Sequence, residues 1–277
     1  MRLIFSLLTL SLFGFGGWYA WKNEGAIRQL IDNHLPASEF NTLEIRHTAE
    51  EIMHMQKQTL LKGTNYSFLE PKLFFYPYLL MDVKYTKGRA QTCEGVLLWG
   101  LNDGEMVIHT GTWEKTHGYE DCLVVKANKN DFKIMEALIA NGGAIDREKL
   151  YHKFTVDQDA VDEWVDSCRE KKLVVTNGNQ LRLHFQNPVL KSDPITALDQ
   201  PLVTQPTKHS QKMNGEYSPS QIKNLAQTAF GYDFAIRKTQ EVFLPVFAIS
   251  VQNPDGSILT TYWNAHNGKK FEANLRR

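Results

Sequence analysis

The sequence predicts a mixed α+β protein with an N-terminal transmembrane helix, two helix-plus-antiparallel-sheet units and a small helical module between them. Three observations lead to this fold class. An uncharged run of membrane length follows the first two residues, two later segments repeat one pattern of residues, and the segment between them has helical spacing followed by a hairpin. Apolar residues make up 42% of the 277 residues and charged residues 22%, which is typical of globular domains.

The apolar run extends from Leu3 to Trp21 and contains no charged residue. Nineteen residues at a rise of 1.5 Å form a helix of about 28 Å, close to the thickness of a bilayer's hydrocarbon core. Aromatic side chains cluster at its far end, as they do at the headgroup level of membranes. We therefore expect an uncleaved, single-pass anchor over residues 1–22. A cleaved signal peptide is the alternative, because Arg2 followed by an apolar run also fits one.

The orientation of this anchor follows from the charges beside it. The N-terminal amine and Arg2 lie directly before the run, whereas the basic residues after it are spread among acidic ones. This bias favours a cytoplasmic N-terminus, which would place the bulk of the chain on the extracytoplasmic side. A short juxtamembrane helix is expected within residues 23–39.

Segments 48–107 and 218–271 have the same order of signals. Each opens with a capping box, Thr48-x-x-Glu51 in the first and Ser218-x-x-Gln221 in the second. A Phe-x-Pro motif, an alternating strand, a turn, a strand ending in tryptophan and a tight glycine turn then follow in both. The positions that define the repeat are Pro77, Trp99 and Gly104 in the first segment and Pro245, Trp263 and Gly268 in the second.

We expect each copy to be a helix packed on its own antiparallel meander. The second copy ends in YWNAHNGKKF and resembles a PepSY-type domain. That resemblance implies an extracytoplasmic, non-catalytic domain, often membrane-tethered, that modulates or binds other proteins. The first copy departs from the pattern by its longer loop and its tryptophan-rich strand.

The central segment, from Asp131 to Gln186, has the spacing of three helices and a hairpin. Its third helix is expected from Asp157, with an apolar face that includes Cys168, and the hairpin turns at Asn177-Gly178. This order resembles a winged-helix fold. The four residues Asp159, Asp162, Glu163 and Asp166 make the first half of the third helix acidic, and the segment holds ten acidic against eight basic residues. Nucleic acid is therefore a poor partner, and these four residues form a candidate protein-contact face.

The residues with the most reactive side chains form a loose set. The weak candidates for a metal site are His109, His117, Cys93 and Cys122, but they lack a compact ligand spacing. Cys93 and Cys122 could instead form a disulfide in an exported domain, or remain as buried free thiols. No nucleophile elbow, P-loop or dinucleotide-binding motif occurs in a fitting context, so no catalytic residue and no cofactor is predicted.

The domains are expected at residues 1–22 (anchor), 23–39 (juxtamembrane helix), 40–128 (first PepSY-like unit), 129–187 (winged-helix-like module), 188–216 (proline-rich linker) and 217–277 (second PepSY-like unit). The predicted function is that of a membrane-anchored, non-catalytic protein that binds, assembles or modulates other proteins. One alternative is a membrane-tethered winged-helix transcriptional regulator with a cytoplasmic body. The other is a metal-dependent enzyme that uses the histidine and cysteine set.

Overall fold

The computed structural model describes residues 38–87, 91–185, 188–190, 193–199, 203–207 and 212–272. It has a mixed α+β fold built on a curled, largely antiparallel sheet. The helices are α1 (Ala49–Met55), α2 (Lys57–Leu60), α3 (Tyr119–Val124), α4 (Lys129–Ile139), α5 (Arg147–Tyr151), α6 (Gln158–Glu170) and α7 (Pro219–Phe230). The strands are β1 (Ser38–Thr42), β2 (Ser67–Phe68), β3 (Lys72–Lys87), β4 (Gln91–Gly100), β5 (Met106–His109), β6 (Glu114–Lys115), β7 (Ala144–Asp146), β8 (Val174–Asn177), β9 (Gln180–Leu183), β10 (Val203–Thr207), β11 (Phe234–Gln252), β12 (Ile258–Asn264) and β13 (Lys270–Phe271).

The predicted anchor over residues 1–22 and the predicted juxtamembrane helix lie outside the described residues. Within the part of the chain that is described, no helix is both long enough and apolar enough to cross a bilayer.

The two similar segments contribute to one sheet, whereas the sequence predicted a separate sheet in each unit. The strand order is β10-β1-β11-β3-β4-β5-β6, and β12 pairs with β11 on the far part of that long strand. The central pairing joins β3 to β11, from Tyr85 opposite Phe234 to Phe75 opposite Pro245. We call β3–β5 the first meander and β11–β13 the second meander.

A local two-fold relationship connects the two meanders. Phe75 lies opposite Pro245 and Pro77 lies opposite Phe243, so the two Phe-x-Pro motifs pair reciprocally. In an antiparallel pair this reciprocity places the axis between the residues in the middle of the two motifs. The axis therefore passes through the pair formed by Tyr76 and Leu244.

The turns at the two ends of the sheet also match in their hydrogen bonds. The Leu101 amide donates to the carbonyl of Pro77 at 3.1 Å, and the Ala265 amide donates to the carbonyl of Pro245 at 3.0 Å. Trp99 lies opposite Leu79 in the first meander, and Trp263 lies opposite Phe247 in the second. The glycines that follow, Gly104 and Gly268, have φ of 64° and 70°. Both turns need this left-handed conformation, which glycine adopts without a steric cost.

Each helix packs on the meander of the other copy, in contrast to the predicted arrangement. The α1 residue Ile52 belongs to a buried cluster with Ile249, Val251 and Trp263 of the second meander. The apolar stripe of α7 belongs to a cluster that contains strand residues of the first meander, and the Phe230 ring lies 6.3 Å from the ring of Trp99. The two copies are therefore intertwined rather than adjacent.

The residues that lead into these helices follow the same exchange. The His47 amide donates to the carbonyl of Ala265 at 3.0 Å, and the Tyr217 amide donates to the carbonyl of Leu101 at 2.8 Å. The predicted capping boxes of α1 and α7 are both present. The helix after Thr48 breaks at Gln56, which ends α1 and precedes α2.

The central module contains α4–α6 and a second sheet of order β7-β9-β8. Its first helix begins at Lys129, with Asn128 as the N-cap, two residues before the predicted start. Asp157 is the N-cap residue of α6, but its side chain makes no capping hydrogen bond. The apolar residues of the module lie in the same cluster as the strand residues of the first meander, so the module shares a core with the sheet.

The curl of the sheet brings distant strands together on its opposite face. The rings of Tyr76 and Phe271 lie 4.9 Å apart, which connects the centre of β3 to β13. The Lys115 ammonium lies 5.9 Å from the Phe271 ring and 2.6 Å from the carboxylate of Asp103. These contacts close one end of the first meander over the last strand of the second.

The proline-rich segment 188–216 runs along the sheet wherever it is described. The His117 amide donates to the carbonyl of Val189 at 2.8 Å, and β10 pairs antiparallel with β1. Where it is described, the backbone of this segment is hydrogen-bonded to the sheet rather than standing apart from it.

Candidate protein-contact surfaces

The four candidate metal ligands do not converge on one point. His109 ends β5, where its Nδ1 accepts a hydrogen bond from the Gly111 amide at 3.1 Å and its Nε2 lies 3.5 Å from Asp199 Oδ1. His117 is exposed and lies in the short connection between β6 and α3. Across the described ranges, no three histidine, cysteine, aspartate or glutamate side chains are grouped as metal ligands.

The cysteines that could have paired are free in the structure, and so is Cys168. Cys93 lies near the outer end of the β3–β4 hairpin, opposite Tyr85. Cys122 is buried in α3, where its Sγ lies 3.8 Å from the sulfur of Met135. Burial raises the pKa of the Cys122 thiol, and a protonated thiol is a poor nucleophile and a poor metal ligand. Cys122 therefore acts as a small apolar core residue.

The tryptophans that define the repeat are core residues. Trp99 is fully buried and its indole Nε1 donates to the carbonyl of Gly104 at 2.7 Å. Trp263 is almost fully buried and its Nε1 donates to Thr261 Oγ1 at 2.8 Å. Both rings fill the space beneath a helix, so neither faces an open ligand groove.

Glu105 is a buried carboxylate that sequence reasoning did not single out. Its Oε1 accepts hydrogen bonds from the amides of Gly118 and Glu120 at 2.8 and 3.0 Å, and its Oε2 accepts one from Thr116 Oγ1 at 2.6 Å. Burial raises the pKa of this carboxyl, while these three donors oppose the shift. The side chain thereby satisfies amides at the start of α3 and fixes that helix to the turn after β4. Glu105 therefore has a structural role.

Asp131 is a second buried carboxylate with a structural role. Its side chain accepts hydrogen bonds from the Asn128 amide at 2.7 Å and from Ser167 Oγ at 3.0 Å, and it forms an ion pair with Lys171. It therefore caps α4 and joins α4 to the last turn of α6. The signal in the sequence was the box Asn128-x-x-Asp131, which the predicted helix start at Asp131 had obscured.

Among the described residues, two of the four candidate contact residues on α6 form hydrogen bonds or ion pairs within the module, and two do not. Asp162 accepts a hydrogen bond from the Tyr151 hydroxyl at 2.7 Å and lies 3.6 Å from Arg147 Nε. Asp166 pairs with Arg169 one turn further along the helix. Asp159 and Glu163, which lie on the exposed side of α6, make no ion pair with a described residue. This side of α6 presents uncompensated negative charge to solvent.

Two grooves flank matched helices. The first has a volume of about 310 Å³ and is closed by α3, which packs against α7; its wall includes Leu123, Lys126, Asn224 and Leu225. The second lies along α1 and is wide open, with His54 and Met55 at the positions that match Asn224 and Leu225. Among the described residues, α1 has no counterpart of α3 packed on this face.

Comparison with known proteins gives no assignment: no protein-family model, no curated protein and no solved structure matches this chain.

Proposed function

We propose that this chain is a single-pass, membrane-anchored protein without catalytic activity, whose extracytoplasmic body binds or assembles other proteins. The observation that carries the proposal is the exposed acidic side of α6, where Asp159 and Glu163 project from a helix that the Asp131–Lys171 ion pair joins to α4. A fixed, uncompensated acidic surface suits electrostatic steering of a basic partner surface.

The proposal includes a domain interpretation. We interpret the two intertwined copies as PepSY-like units, because each has the order helix, strand, strand, short strand with matched turns. We interpret the central module as winged-helix-like, because α4, β7, α5, α6 and the β8–β9 hairpin follow one another and the sheet has the order β7-β9-β8. A binding role suits such modules, whose rigid helices carry the contact residues.

Topology is the first test of this function. Alkaline phosphatase and green fluorescent protein, each fused after Arg277, report on opposite sides of the membrane. We expect active phosphatase and a dark fluorescent fusion. A fluorescent fusion with inactive phosphatase would place the body in the cytoplasm and contradict the proposal.

Charge reversal on α6 is the second test. In the full chain in its native membrane, Asp159→Lys with Glu163→Lys is expected to remove chemical cross-links between the body and other membrane or extracytoplasmic proteins. Glu170→Lys is the matched control, because Glu170 is also exposed but ends the helix beside basic residues. An unchanged cross-link pattern in the double variant would exclude α6 as the contact surface.

The second candidate is a membrane-tethered regulator, which the order of helices and hairpin in the central module favours. The acidic first half of α6 argues against it, since DNA binding draws most of its affinity from basic contacts to phosphates. The same pair of fusions separates the two candidates, because a regulator that reaches chromosomal DNA requires a cytoplasmic body.

A further inference from the structure

The local two-fold axis relates the outer edge of β4 to the outer edge of β12. The two edges differ in whether a described segment of the chain covers them. Leu79 pairs with Trp99 as Phe247 pairs with Trp263, and Val83 pairs with Gly95 as Val251 pairs with Leu259. The stretch from Gly95 to Leu98 therefore corresponds to the stretch from Leu259 to Tyr262.

In the first meander, the chain covers this edge with its own segment. The Thr196 amide donates to the carbonyl of Val96 at 2.7 Å, and Thr196 Oγ1 accepts from the Leu98 amide at 2.9 Å. The same hydroxyl donates to the carbonyl of Val107 at 2.5 Å, and the Ala197 amide donates to the carbonyl of Ile108 at 2.9 Å. The extended segment 195–197 thus lies as a short inserted strand between β4 and β5.

In the second meander, the corresponding edge is open in the described structure. The stretch Ile258–Thr261 pairs with β11 on one side, and β13 reaches only Tyr262 and Trp263 on the other. The carbonyl of Thr260 matches that of Val96, which accepts from Thr196 in the first meander. Ile258 is 59% exposed and Leu259 is 49% exposed. An uncharged edge of this kind, in which three of the four residues are β-branched, readily accepts another strand.

We propose that the β12 edge, Ile258–Thr261, binds an extended segment of a partner protein as an added β-strand. This surface is separate from α6, so the inference stands independently of the function proposed above.

The covered edge of the first meander indicates the chemistry of the partner segment. It contains a threonine or serine whose amide donates to the Thr260 carbonyl, as Thr196 does at the matched position. The residue before it is small: Ile195 lies over Gly95 in the first meander, whereas Leu259 fills that space in the second.

The heptapeptide with the sequence of residues 193–199, DPITALD, is a suitable probe because it already carries the threonine amide and hydroxyl that bind the matched edge. We expect its fluorescein-labelled form to bind the detergent-solubilised full chain saturably, as measured by fluorescence anisotropy. The peptide DPATALD, with alanine in place of isoleucine, is expected to bind more tightly because it leaves room for Leu259. The peptide DPIPALD is expected not to bind, since proline lacks the amide that donates to Thr260.

Variants of the protein locate the site. Ile258→Lys and Leu259→Lys are each expected to weaken peptide binding by at least about tenfold, a loss equivalent to 1.4 kcal/mol. Val124→Lys is the matched control, because Val124 is also 59% exposed but lies on α3. Because the peptide series changes only the probe, its ranking remains informative even if a protein variant loses stability.

Four results would overturn the proposal. The first is the absence of saturable binding up to about 1 mM peptide, a concentration that corresponds to a binding free energy near −4 kcal/mol. The second is equal binding of the proline peptide, and the third is binding that neither lysine variant weakens. The fourth is a concentration-dependent dimer that Ile258→Lys abolishes, which would assign the edge to a second copy of this chain.

Discussion

Ile52 in α1 and Val251 in β11 lie in one buried cluster, although each belongs to a different copy of the repeated segment. No described residue of the first meander, which follows α1 along the chain, is part of that cluster. The core beneath α1 therefore forms only when the two ends of the described chain meet. Folding of one copy depends on the other.

A double-mutant cycle measures this exchange of helices. Ile52→Ala and Val251→Ala each remove a fully or almost fully buried side chain, with an expected cost of about 2–4 kcal/mol for the isoleucine. Because the two side chains share a cluster, we expect a coupling energy of about 0.5–3 kcal/mol between them in urea unfolding. Ile52→Ala combined with Val83→Ala is the control pair, since Val83 lies in the core of the first meander. Additive effects in the first pair and coupling in the second would show that each helix packs on its own meander.

Features that depend on neighbouring residues were predicted correctly from the sequence. The capping boxes at Thr48 and Ser218 and the turn at Gly178 depend on hydrogen bonds and backbone angles within a few residues. The sequence also identified Gly104 and Gly268 as turn residues, and both have positive φ. Local chemistry fixes these features wherever the segments lie in the fold.

The pairing of the two copies could not be predicted in the same way. Alternation along β3 and β11 shows which side chains are buried but not which strand lies beside them. An apolar helix stripe likewise fits either meander, because both present similar aliphatic faces. Glu105 escaped attention for a related reason: two of its three donors, Gly118 and Glu120, belong to a helix start more than ten residues away. Its burial follows from tertiary packing alone.

Replacing the turn glycines tests the close approach of the exchanged segments. A Cβ at Gly268 would lie 3.1 Å from the His47 ring, and one at Gly104 would lie 3.3 Å from both the Tyr217 ring and the Cα of Glu120. Gly178 also has positive φ, but nothing lies within 4 Å of its added Cβ. We expect Gly178→Ala to cost about 1–2 kcal/mol in urea unfolding, the cost of the left-handed conformation alone. Gly104→Ala and Gly268→Ala should cost more than this control. Equal losses at all three sites would mean that the lead-in segments do not press on the turns.

Asp131 provides a test of how the central module is held together. Its carboxylate is fully buried, so Asp131→Ala leaves the Asn128 amide, the Ser167 hydroxyl and Lys171 without their shared acceptor. We expect a loss of about 3 kcal/mol in the free energy of unfolding, at the lower end for a buried pair because Lys171 is partly exposed. Lys172→Ala is the control, since Lys172 is exposed and makes no ion pair with a described residue. A loss under about 1 kcal/mol for Asp131→Ala would contradict a joining role between α4 and α6.

The pH dependence of stability tests the environment of Glu105. Burial raises the pKa of its carboxyl in the folded chain, so the folded state binds the proton more tightly than the unfolded state. Its contribution to stability is therefore fully present below the unfolded pKa and is lost as the pH rises through the folded pKa. We expect this carboxyl to add to the free energy of unfolding as the pH is lowered from 7 towards 5, whereas His266, whose pKa is lowered by burial, contributes with the opposite sign.

Glu105→Gln should remove part of this dependence while keeping the contacts. The amide oxygen can accept from Gly118 and Glu120, and the amide nitrogen can donate to Thr116, whose hydroxyl lies 3.3 Å from the carbonyl of Met106. Urea unfolding of the variant at pH 5 and pH 7 should give a smaller difference than in the wild type, with stability at pH 7 equal or higher. Glu136 needs a parallel variant, Glu136→Gln, because partial desolvation raises the pKa of that more exposed carboxyl and adds a contribution of the same sign. If Glu105→Gln keeps the full pH dependence while Glu136→Gln removes it, the buried carboxylate beneath α3 is not the group that titrates with folding.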